Sequence, residues 1–355
     1  MNKKFSYFLP YSPFQDLSGF CNDHQSRYPA DWVYRPLGME LEITAACNLG
    51  CAGCAVEKSA NVLSTEIIEK IFAGAAGTGI AFYTLTGGEP FQSFDRLLEI
   101  IKIAPLDLYK INTNGFAFDT IQNTEKLLTR LYFSTHNRFL KPGLYISQGQ
   151  QNIAGIPLLN SIYALVSALT LLDPERFFIT LANFDYNPEN MEKIEKEFQL
   201  LLDKYQLPLN LFDFHFIKIV DPVLCSTAIR KSTRDNEETG LEMLVERFNE
   251  RILNCSPQAV INNNDYLGPR LFVRANGDVF ACPGFSLVHR IGNIRTESLE
   301  GILYNANQSK IIRRLFSGGL PALYKEMQRS SPTLANRSLN SLSGPCNICA
   351  YLKNC

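Results

Sequence analysis

Apolar and polar residues alternate along several short stretches of this chain, and stretches with a longer apolar repeat lie between them. Alternation with a period of two predicts half-buried strands, whereas apolar residues three or four apart predict amphipathic helices. The strand patterns fall at 38–44, 80–86, 107–113, 130–135, 176–182 and 211–219. The helical patterns fall at 64–76, 93–103, 122–129, 157–172 and 189–204, and Ser64 is placed as an N-cap.

Strands and helices that alternate in this way predict parallel strands joined by crossover helices. Six such units are fewer than the eight of a complete barrel, so the fold class is α/β, with a partial (β/α)6 TIM-like barrel. Nearer the C-terminus, Asn276-Gly277 separates two short apolar runs and predicts a β-hairpin. A small C-terminal domain is therefore expected after the barrel.

Composition narrows the class of protein. The chain has 355 residues, 46% of them hydrophobic, and a formal net charge of −1, which provides a core but no general electrostatic footprint for nucleic acid. The most apolar region, 156–172, is too short to span a membrane and is interpreted as a buried helix. The apolar stretch before Pro10 is too short for a signal peptide, so we expect a cytoplasmic protein without a membrane partner.

Three cysteines follow the first strand pattern with the spacing C-x3-C-x2-C: Cys47, Cys51 and Cys54. Three thiolates can hold three irons of a 4Fe-4S cluster and leave the fourth iron open to bind another molecule. Zinc is the first alternative, although it usually takes four protein ligands in structural sites. Disulfides are the second, although an odd number of closely spaced cysteines does not favour them.

A second motif, Gly87-Gly88-Glu89-Pro90, ends the second strand pattern. Together with the cysteine triplet, it resembles the radical S-adenosylmethionine superfamily. The resemblance implies that the open iron binds S-adenosyl-L-methionine and that a 5′-deoxyadenosyl radical then abstracts hydrogen from a substrate carbon. In this family the Gly-Gly-Glu-Pro run holds the methionyl amino group. Glycines let the backbone approach a ligand closely, and a carboxylate accepts strong hydrogen bonds from an ammonium group.

The same resemblance suggests further cofactor contacts. Asn114 ends the third strand pattern, where a strand-terminating turn is the alternative, and Ser134 ends the fourth, where family members contact the ribose. Family members usually carry an aromatic residue beside the adenine, directly before the last cysteine of the triplet. Here that residue is Gly53, so the aromatic wall is expected from Tyr83 or Phe82.

The C-terminal cysteines resemble those of the SPASM and twitch extensions, which hold auxiliary iron–sulfur clusters in this family. Only five cysteines lie in this region, which favours one auxiliary 4Fe-4S cluster rather than two. The expected ligands are Cys255, Cys282, Cys346 and Cys349, with Cys355 as an alternative to Cys349. Zinc is again an alternative, because C-x2-C is also a zinc knuckle.

The predicted domain organisation follows from these motifs. It consists of an N-terminal extension (1–36), a radical S-adenosylmethionine core (37–222), a helical linker (223–254) and an auxiliary-cluster domain (255–355). Cys225 lies near the expected barrel mouth. In some relatives such a thiol donates a hydrogen atom to the substrate radical, whereas most lone cysteines are inert.

Three functions are compatible with the sequence. Relatives with such extensions often modify ribosomally made peptides, and this is the preferred function. The alternative is a twitch-type oxidoreductase that oxidises an alcohol or sugar, and the third hypothesis is a non-catalytic iron–sulfur electron carrier. Either enzyme needs a reductant such as flavodoxin or ferredoxin. The Gly87–Pro90 run argues against the electron carrier, which has no use for a site that binds S-adenosylmethionine.

Overall fold

The protein is described by a computed structural model that covers residues 17–50, 56, 58–135, 143–148, 178–183, 196, 200, 203, 212–216, 269–281 and 290–333. Its helices are α1 (Leu17–Ser26), α2 (Thr65–Ala76), α3 (Phe94–Ile103), α4 (Ile121–Thr135), α5 (Leu299–Gln308) and α6 (Lys310–Ser330). Its strands are β1 (Gly38–Thr44), β2 (Phe82–Gly87), β3 (Asp107–Thr113), β4 (Gly143–Gln148), β5 (Phe178–Asn183), β6 (Phe212–Phe216), β7 (Arg270–Val273), β8 (Asp278–Phe280) and β9 (Arg290–Asn293).

All nine strands form one sheet in the order β6-β5-β4-β3-β2-β1-β7-β8-β9. The first six are parallel and adjacent in chain order. Parallel neighbours need crossover connections, and right-handed crossovers between successive strands place the helices on one face of the sheet. The predicted partial (β/α)6 barrel is therefore confirmed.

The core lies between β1–β4 and the helices. On β1, Met39, Leu41 and Ile43 are almost completely buried, and they alternate with Glu40 and Glu42. Because successive side chains of a strand point to opposite faces, the apolar series packs under the helices and the acidic series lies on the inner face of the sheet. The inner face of the barrel is thus polar where it is built from β1.

The fourth strand pattern is wrong. Residues 130–135 belong to helix α4, which extends from Ile121 to Thr135, and β4 begins only at Gly143. Thr124, Leu128 and Leu131 are fully buried at the spacing of one helix face, so packing favours a continuous helix. The Leu-Tyr-Phe run suggested a strand because aromatic residues are common in strands, although tertiary packing overrides that preference.

The predicted C-terminal hairpin is confirmed. β7 and β8 are antiparallel, Phe272 lies opposite Phe280, and Gly277 adopts a positive φ of 91° in the turn. β7 is also parallel to β1, so the hairpin continues the sheet of the barrel. The boundary predicted at residue 255 falls outside the described residues and stays a prediction.

A buried asparagine joins the C-terminal helices to the N-terminal segment. The side-chain oxygen of Asn307 accepts hydrogen bonds from the backbone nitrogens of Val33 (3.0 Å) and Tyr34 (2.9 Å). Its amide nitrogen donates to the backbone oxygens of Tyr34 and Leu303, each at 3.0 Å. All hydrogen-bonding positions of this amide are therefore used. Among the described residues, no helix combines the length and apolar character that a membrane span requires.

Candidate functional site

The carboxyl ends of β1, β2 and β3 meet at one edge of the sheet, where barrel enzymes collect their functional residues. Thr44 ends β1, Gly87 ends β2, and Asn114 directly follows β3. The backbone register places Thr44 beside Gly87. This edge therefore brings together the cysteine loop, the Gly-Gly-Glu-Pro run and the Asn-Gly turn that the sequence singled out.

Cys47 is the first residue of the cysteine triplet, and its side chain is half-buried. The loop before it is fixed by the hydroxyl of Thr44, which accepts a hydrogen bond from the nitrogen of Ala46 (3.1 Å). The sulfur of Cys47 accepts a hydrogen bond from the nitrogen of Leu49 (3.4 Å). Cys51 and Cys54 lie outside the described residues.

The two glycines of the second motif pack against the cysteine loop. A Cβ atom on Gly87 would lie 2.4 Å from the oxygen of Thr44, and one on Gly88 would lie 2.0 Å from the oxygen of Ala46. The nitrogen of Gly88 donates to the oxygen of Thr44 (2.7 Å), and that of Glu89 donates to the oxygen of Ala46 (2.9 Å). Glycine is thus required for a close backbone contact between the two motifs.

Glu89 lies at this edge as a buried acidic residue that is only 2% exposed. One carboxylate oxygen accepts hydrogen bonds from the nitrogen of Phe91 (3.0 Å) and the hydroxyl of Thr113 (2.8 Å). The other accepts from the nitrogen of Asn114 (2.7 Å). Burial raises the pKa of this carboxyl above its ordinary value, although the three hydrogen bonds act to lower it.

This environment changes the role expected for the motif. The sequence argument assigned the Glu89 carboxylate to an ammonium group, whereas the structure uses it to fasten the turn after β2 to the end of β3. Pro90 is also buried, as the first residue of the 3₁₀ turn Pro90–Ser93 that Glu89 caps. Gly87 and Gly88 are only partly buried, so they are the members of the run that remain accessible to a ligand.

Asn114 connects the second motif to the cysteine loop. Its backbone nitrogen donates to Glu89, as described, and its side-chain oxygen accepts from the nitrogen of Phe116 (3.1 Å). Its amide nitrogen donates to the side-chain oxygen of Asn48 (2.8 Å) and lies 3.9 Å from the sulfur of Cys47 in a further hydrogen bond. The predicted contact of Asn114 with S-adenosyl-L-methionine stays a prediction, and the sequence provided no signal for Asn48.

The aromatic wall predicted from β2 is wrong. Phe82 and Tyr83 occupy the beginning of β2, at the opposite end of the strand from Gly87. Tyr83 is fully buried, and its ring meets that of Phe72 on α2 edge to face at 5.3 Å between centroids. Both side chains are therefore core residues and cannot line the edge of the sheet.

Ser134 does not lie at a strand end. It belongs to the last turn of α4, and its hydroxyl donates to the backbone oxygen of Arg130 (2.9 Å). Ser134 was expected beside the ribose because it would end the fourth strand, and that strand is absent at 130–135. The remaining predicted site residues lie outside the described residues: Cys225, Cys255, Cys282, Cys346, Cys349, Cys355.

The inner face of the sheet carries polar groups that the sequence analysis missed. Within the described part of the chain, two buried oxygens there accept no hydrogen bond, Thr84 Oγ1 and Asn112 Oδ1, on the adjacent strands β2 and β3. On β1, Glu42 Oε2 lies 3.5 Å from the Arg274 side chain. Buried polar atoms without partners are rare and call for a ligand or ordered water. A polar residue at every second position of β1 was the signal that could have revealed this face.

The donor set fits an iron–sulfur cluster. Cysteine thiolates are the usual ligands of such clusters, and hydrogen bonds to the sulfurs help to set their properties. Cys47 is half-buried at the site edge, and two N–H groups already donate to its sulfur, those of Leu49 and Asn114. Among the described residues no group of three metal-binding side chains occurs, because Cys47 is the one member of its triplet within them.

Comparison with protein families identifies two iron–sulfur domains, one over the central strands β1–β3 and one over β7–β9. Residues 41–143 match the family model of a 4Fe-4S single cluster domain. Residues 266–331 match the SPASM model, an iron–sulfur cluster-binding domain. The first match contains the cysteine triplet and the Gly-Gly-Glu-Pro run, and the second contains the β7–β8 hairpin and Cys282. Both predicted iron–sulfur regions are confirmed.

Individual relatives cover less of the chain. The PqqA peptide cyclase of Methylorubrum populi is 33% identical over 85 residues, which are 23% of this chain and 22% of that protein. The chain thus matches about a fifth of the length of this curated relative. Two solved structures resemble the chain at 15% identity. They are Streptococcus suis SuiB bound to precursor peptide SuiA (TM-score 0.44, 81% of this chain and 67% of that one) and anSMEcpe with bound AdoMet and Cp18Cys peptide (TM-score 0.43, 86% and 99%).

Proposed function

We propose that this chain, a member of the radical S-adenosylmethionine superfamily with a SPASM domain, is an enzyme that modifies a ribosomally made peptide. In this proposal Cys47, Cys51 and Cys54 hold a 4Fe-4S cluster with an open iron, and S-adenosyl-L-methionine binds beside Gly87 and Gly88. The bound cofactors supply a 5′-deoxyadenosyl radical that abstracts hydrogen from a substrate carbon. The protein itself positions the reactants and excludes water.

The observation that carries the proposal is the close contact between the two sequence motifs. Backbone hydrogen bonds of 2.7 Å and 2.9 Å join Gly88 and Glu89 to the segment just before Cys47. Because the glycines touch the cysteine loop, a ligand held against their backbone also lies beside the first cluster ligand. A protein that only relays electrons has no need for such a paired arrangement, so this contact favours the enzyme over the electron carrier.

The polar groups on the inner face of the sheet favour a polar substrate. Thr84 and Asn112 present buried oxygens there without hydrogen-bond partners in the described residues. Lys110 adds a cation on the same face, with its ammonium group 4.3 Å from the centre of the Tyr145 ring. A peptide offers N–H donors along its whole length, which suits these acceptors. The name of the Methylorubrum populi relative, PqqA peptide cyclase, points to the same substrate class.

The auxiliary cluster is proposed for the C-terminal region. Cys282 lies within the SPASM match, whereas Cys255, Cys346, Cys349 and Cys355 lie outside its limits of 266–331. We propose Cys255, Cys282, Cys346 and Cys349 as ligands, with Cys355 as the alternative to Cys349. Full cysteine ligation would suit acceptance of an electron from the substrate radical. The first cluster would receive its electron from flavodoxin or ferredoxin, in the reducing cytoplasm.

A second candidate, oxidation of an alcohol or sugar, is favoured by the cysteine count. Five cysteines after residue 254 suffice for one auxiliary cluster, as in the twitch-type enzymes that the C-terminal motifs resemble. The proposed contacts with S-adenosyl-L-methionine do not separate the two candidates. Cys225 stays the proposed hydrogen-atom donor in either case. Full turnover by a Cys225→Ala enzyme would remove it from that role.

The test is anaerobic reconstitution with iron and sulfide, followed by reduction with S-adenosylmethionine present. We expect about eight irons per chain for two cubanes, and release of 5′-deoxyadenosine. Cys47→Ala should abolish 5′-deoxyadenosine formation, whereas Cys21→Ala, a cysteine outside every predicted ligand set, should leave it unchanged. A reduced, cluster-loaded protein that forms no 5′-deoxyadenosine would exclude this enzyme class.

The substrate is tested separately. Short peptides encoded beside the gene are incubated with the reduced enzyme and analysed by mass spectrometry. A mass change that depends on Cys47 supports peptide modification. Release of 5′-deoxyadenosine with an alcohol or sugar, and none with any of these peptides, would favour the second candidate instead.

A further inference from the structure

We propose that Asn114 is a positioning residue that donates a hydrogen bond to the sulfur of Cys47 and thereby raises the reduction potential of the cluster held there. The inference rests on the proposed function only in requiring a cluster at Cys47. It assigns Asn114 to the metal ligand, whereas the sequence analysis assigned this residue to the S-adenosylmethionine site.

The amide of Asn114 is held in one orientation by its neighbours. Its oxygen accepts from the nitrogen of Phe116 at 3.1 Å, which leaves the amide nitrogen on the side of the cysteine loop. That nitrogen donates to Asn48 at 2.8 Å and to the Cys47 sulfur at 3.9 Å. Gly115 adopts a φ of 78°, which lets the chain turn directly after Asn114. Both amide hydrogens therefore point to the segment that begins the cluster loop.

The backbone of Asn114 is fixed independently of its side chain. Its nitrogen donates to a carboxylate oxygen of Glu89 at 2.7 Å, and Glu89 is itself buried and bonded to Thr113 and Phe91. A substitution at position 114 keeps this backbone bond. Side-chain variants can therefore remove the donor to Cys47 and leave the attachment of β3 to the second motif in place.

The effect on the cluster follows from charge. A cysteine that binds iron does so as a thiolate, and an N–H donor to a thiolate forms a charge-assisted hydrogen bond. Reduction adds one negative charge to the cluster, so the donor stabilises the reduced form more than the oxidised form. Hydrogen bonds to the sulfurs are among the features that set cluster potentials. Among the described residues, Leu49 supplies a backbone donor to the same sulfur, and Asn114 supplies the side-chain donor.

Two variants separate the hydrogen bond from the fold. Asn114→Asp keeps an oxygen to accept from Phe116 but removes both N–H donors and adds a negative charge beside the sulfur. Asn114→Leu removes the donors without adding charge. Asn123→Asp is the matched control, because Asn123 also donates from its side chain, but to Ala117 and Asp119 and not to a cysteine.

The measurement is the midpoint potential of the reconstituted cluster whose electron paramagnetic resonance signal shifts when S-adenosylmethionine is added. We expect the potential to become more negative in Asn114→Leu and more negative still in Asn114→Asp, with iron content unchanged. The Asn123→Asp control should keep the potential of the unmodified protein. Unchanged potentials in both Asn114 variants with full iron content would overturn the proposal.

If both variants lose iron, Asn114→Ser is measured next, because serine keeps a short side-chain donor. Restored iron with a potential near that of the unmodified protein supports the hydrogen bond, and any other result shows a purely structural role. Failure of the unmodified protein to assemble a cluster that responds to S-adenosylmethionine would instead contradict the proposed function. The two failures are thus distinguishable.

Discussion

Two regions of the sheet bury acidic side chains, and they stabilise them in different ways. At the site edge, Glu89 accepts hydrogen bonds from two backbone nitrogens and one hydroxyl, all neutral donors. At the junction of β1 and β7, Glu40 contacts the guanidinium of Arg270 at 2.8 Å, and Glu42 lies 3.5 Å from Arg274. Burial raises the pKa of Glu42 as it does that of Glu89, while Arg274 acts in the opposite direction.

The difference concerns how far apart the partners lie in the chain. Every donor to Glu89 comes from residues within 25 positions of it, whereas Arg270 follows its partner by 230 positions. At the site edge, neutral donors from nearby segments of the chain hold Glu89 in place. Charge pairs fasten the SPASM hairpin to the barrel, so they connect the two iron–sulfur regions. Substitutions at the junction of β1 and β7 should therefore mainly lower stability, whereas substitutions at the site edge should also affect the binding of iron.

The largest effect is expected for Arg270→Met. The Arg270 side chain is only 2% exposed, and its loss leaves the Glu40 carboxylate, 15% exposed, without its cation. Breaking a buried ion pair on one side costs about 3–5 kcal/mol, so the free energy of unfolding should fall by that amount. Chemical denaturation of the anaerobic protein, followed by circular dichroism, measures it.

The double variant Glu40→Leu/Arg270→Met controls this prediction. It removes both charges, so stability should return to about that of the unmodified protein or exceed it. The exposed pair Asp23–Arg27 at the end of α1 provides a second control, and Arg27→Met should change stability by less than about 1 kcal/mol. A double variant as unstable as Arg270→Met alone would show that packing, rather than charge pairing, holds the junction.

The next effect is expected for Gly88→Ala at the site edge. The new Cβ would lie 2.0 Å from the backbone oxygen of Ala46, so the cysteine loop must move. Overpacking of this kind costs about 1–3 kcal/mol, and we expect reduced iron retention in addition. Gly77→Ala is the matched control, because a Cβ atom there would lie 3.6 Å from its nearest neighbour, the backbone oxygen of Gly74. This variant should keep its full iron content. Equal iron content in the two variants would contradict the close contact between the motifs.

Glu89→Gln should have a smaller effect on stability than the loss of Arg270. A glutamine offers one acceptor oxygen where Glu89 uses two, so at least one of the three donors loses its partner. An unsatisfied buried donor costs about 1–3 kcal/mol. Thermal unfolding measures the change, and Glu99→Gln on the surface of α3, which weakens only exposed contacts with Arg96 and Thr65, should have a much smaller effect on stability. A fully stable Glu89→Gln protein would mean that neutral donors are not what holds this edge.

The same comparison explains what the sequence could predict. The strands β1, β2 and β3, and the two motifs at their ends, follow from short patterns whose residues lie close in the chain. The junction of β1 and β7 could not be predicted, because no local pattern pairs Glu40 with Arg270. The strand predicted at 130–135 was wrong because burial of Leu128 and Leu131 on one helix face outweighs the strand preference of Tyr132 and Phe133, which follow them.

The smallest effect is expected for His24. Burial should lower the pKa of this basic group, whereas it raises the pKa of the two buried carboxyl groups. Burial, followed by the nearby charge of Arg27, lowers the pKa of His24, whose ring nitrogen is 3.0 Å from the backbone oxygen of Gly79. The neutral ring is thus favoured in the folded protein. Its contribution to stability is present above the ordinary histidine pKa and is lost as the pH falls from about 6.5 through the lower folded value.

We therefore expect the free energy of unfolding of the unmodified protein to fall between pH 7.5 and pH 5.5, because protonation of His24 is less favourable in the folded protein than in the unfolded chain. A His24→Gln variant keeps a side-chain donor near Gly79 but does not titrate, so the difference in stability between the two proteins should itself change over this pH range. Paired denaturation curves at the two pH values measure that difference. A difference independent of pH would mean that the His24 ring is solvated in the folded protein and that burial does not shift its pKa.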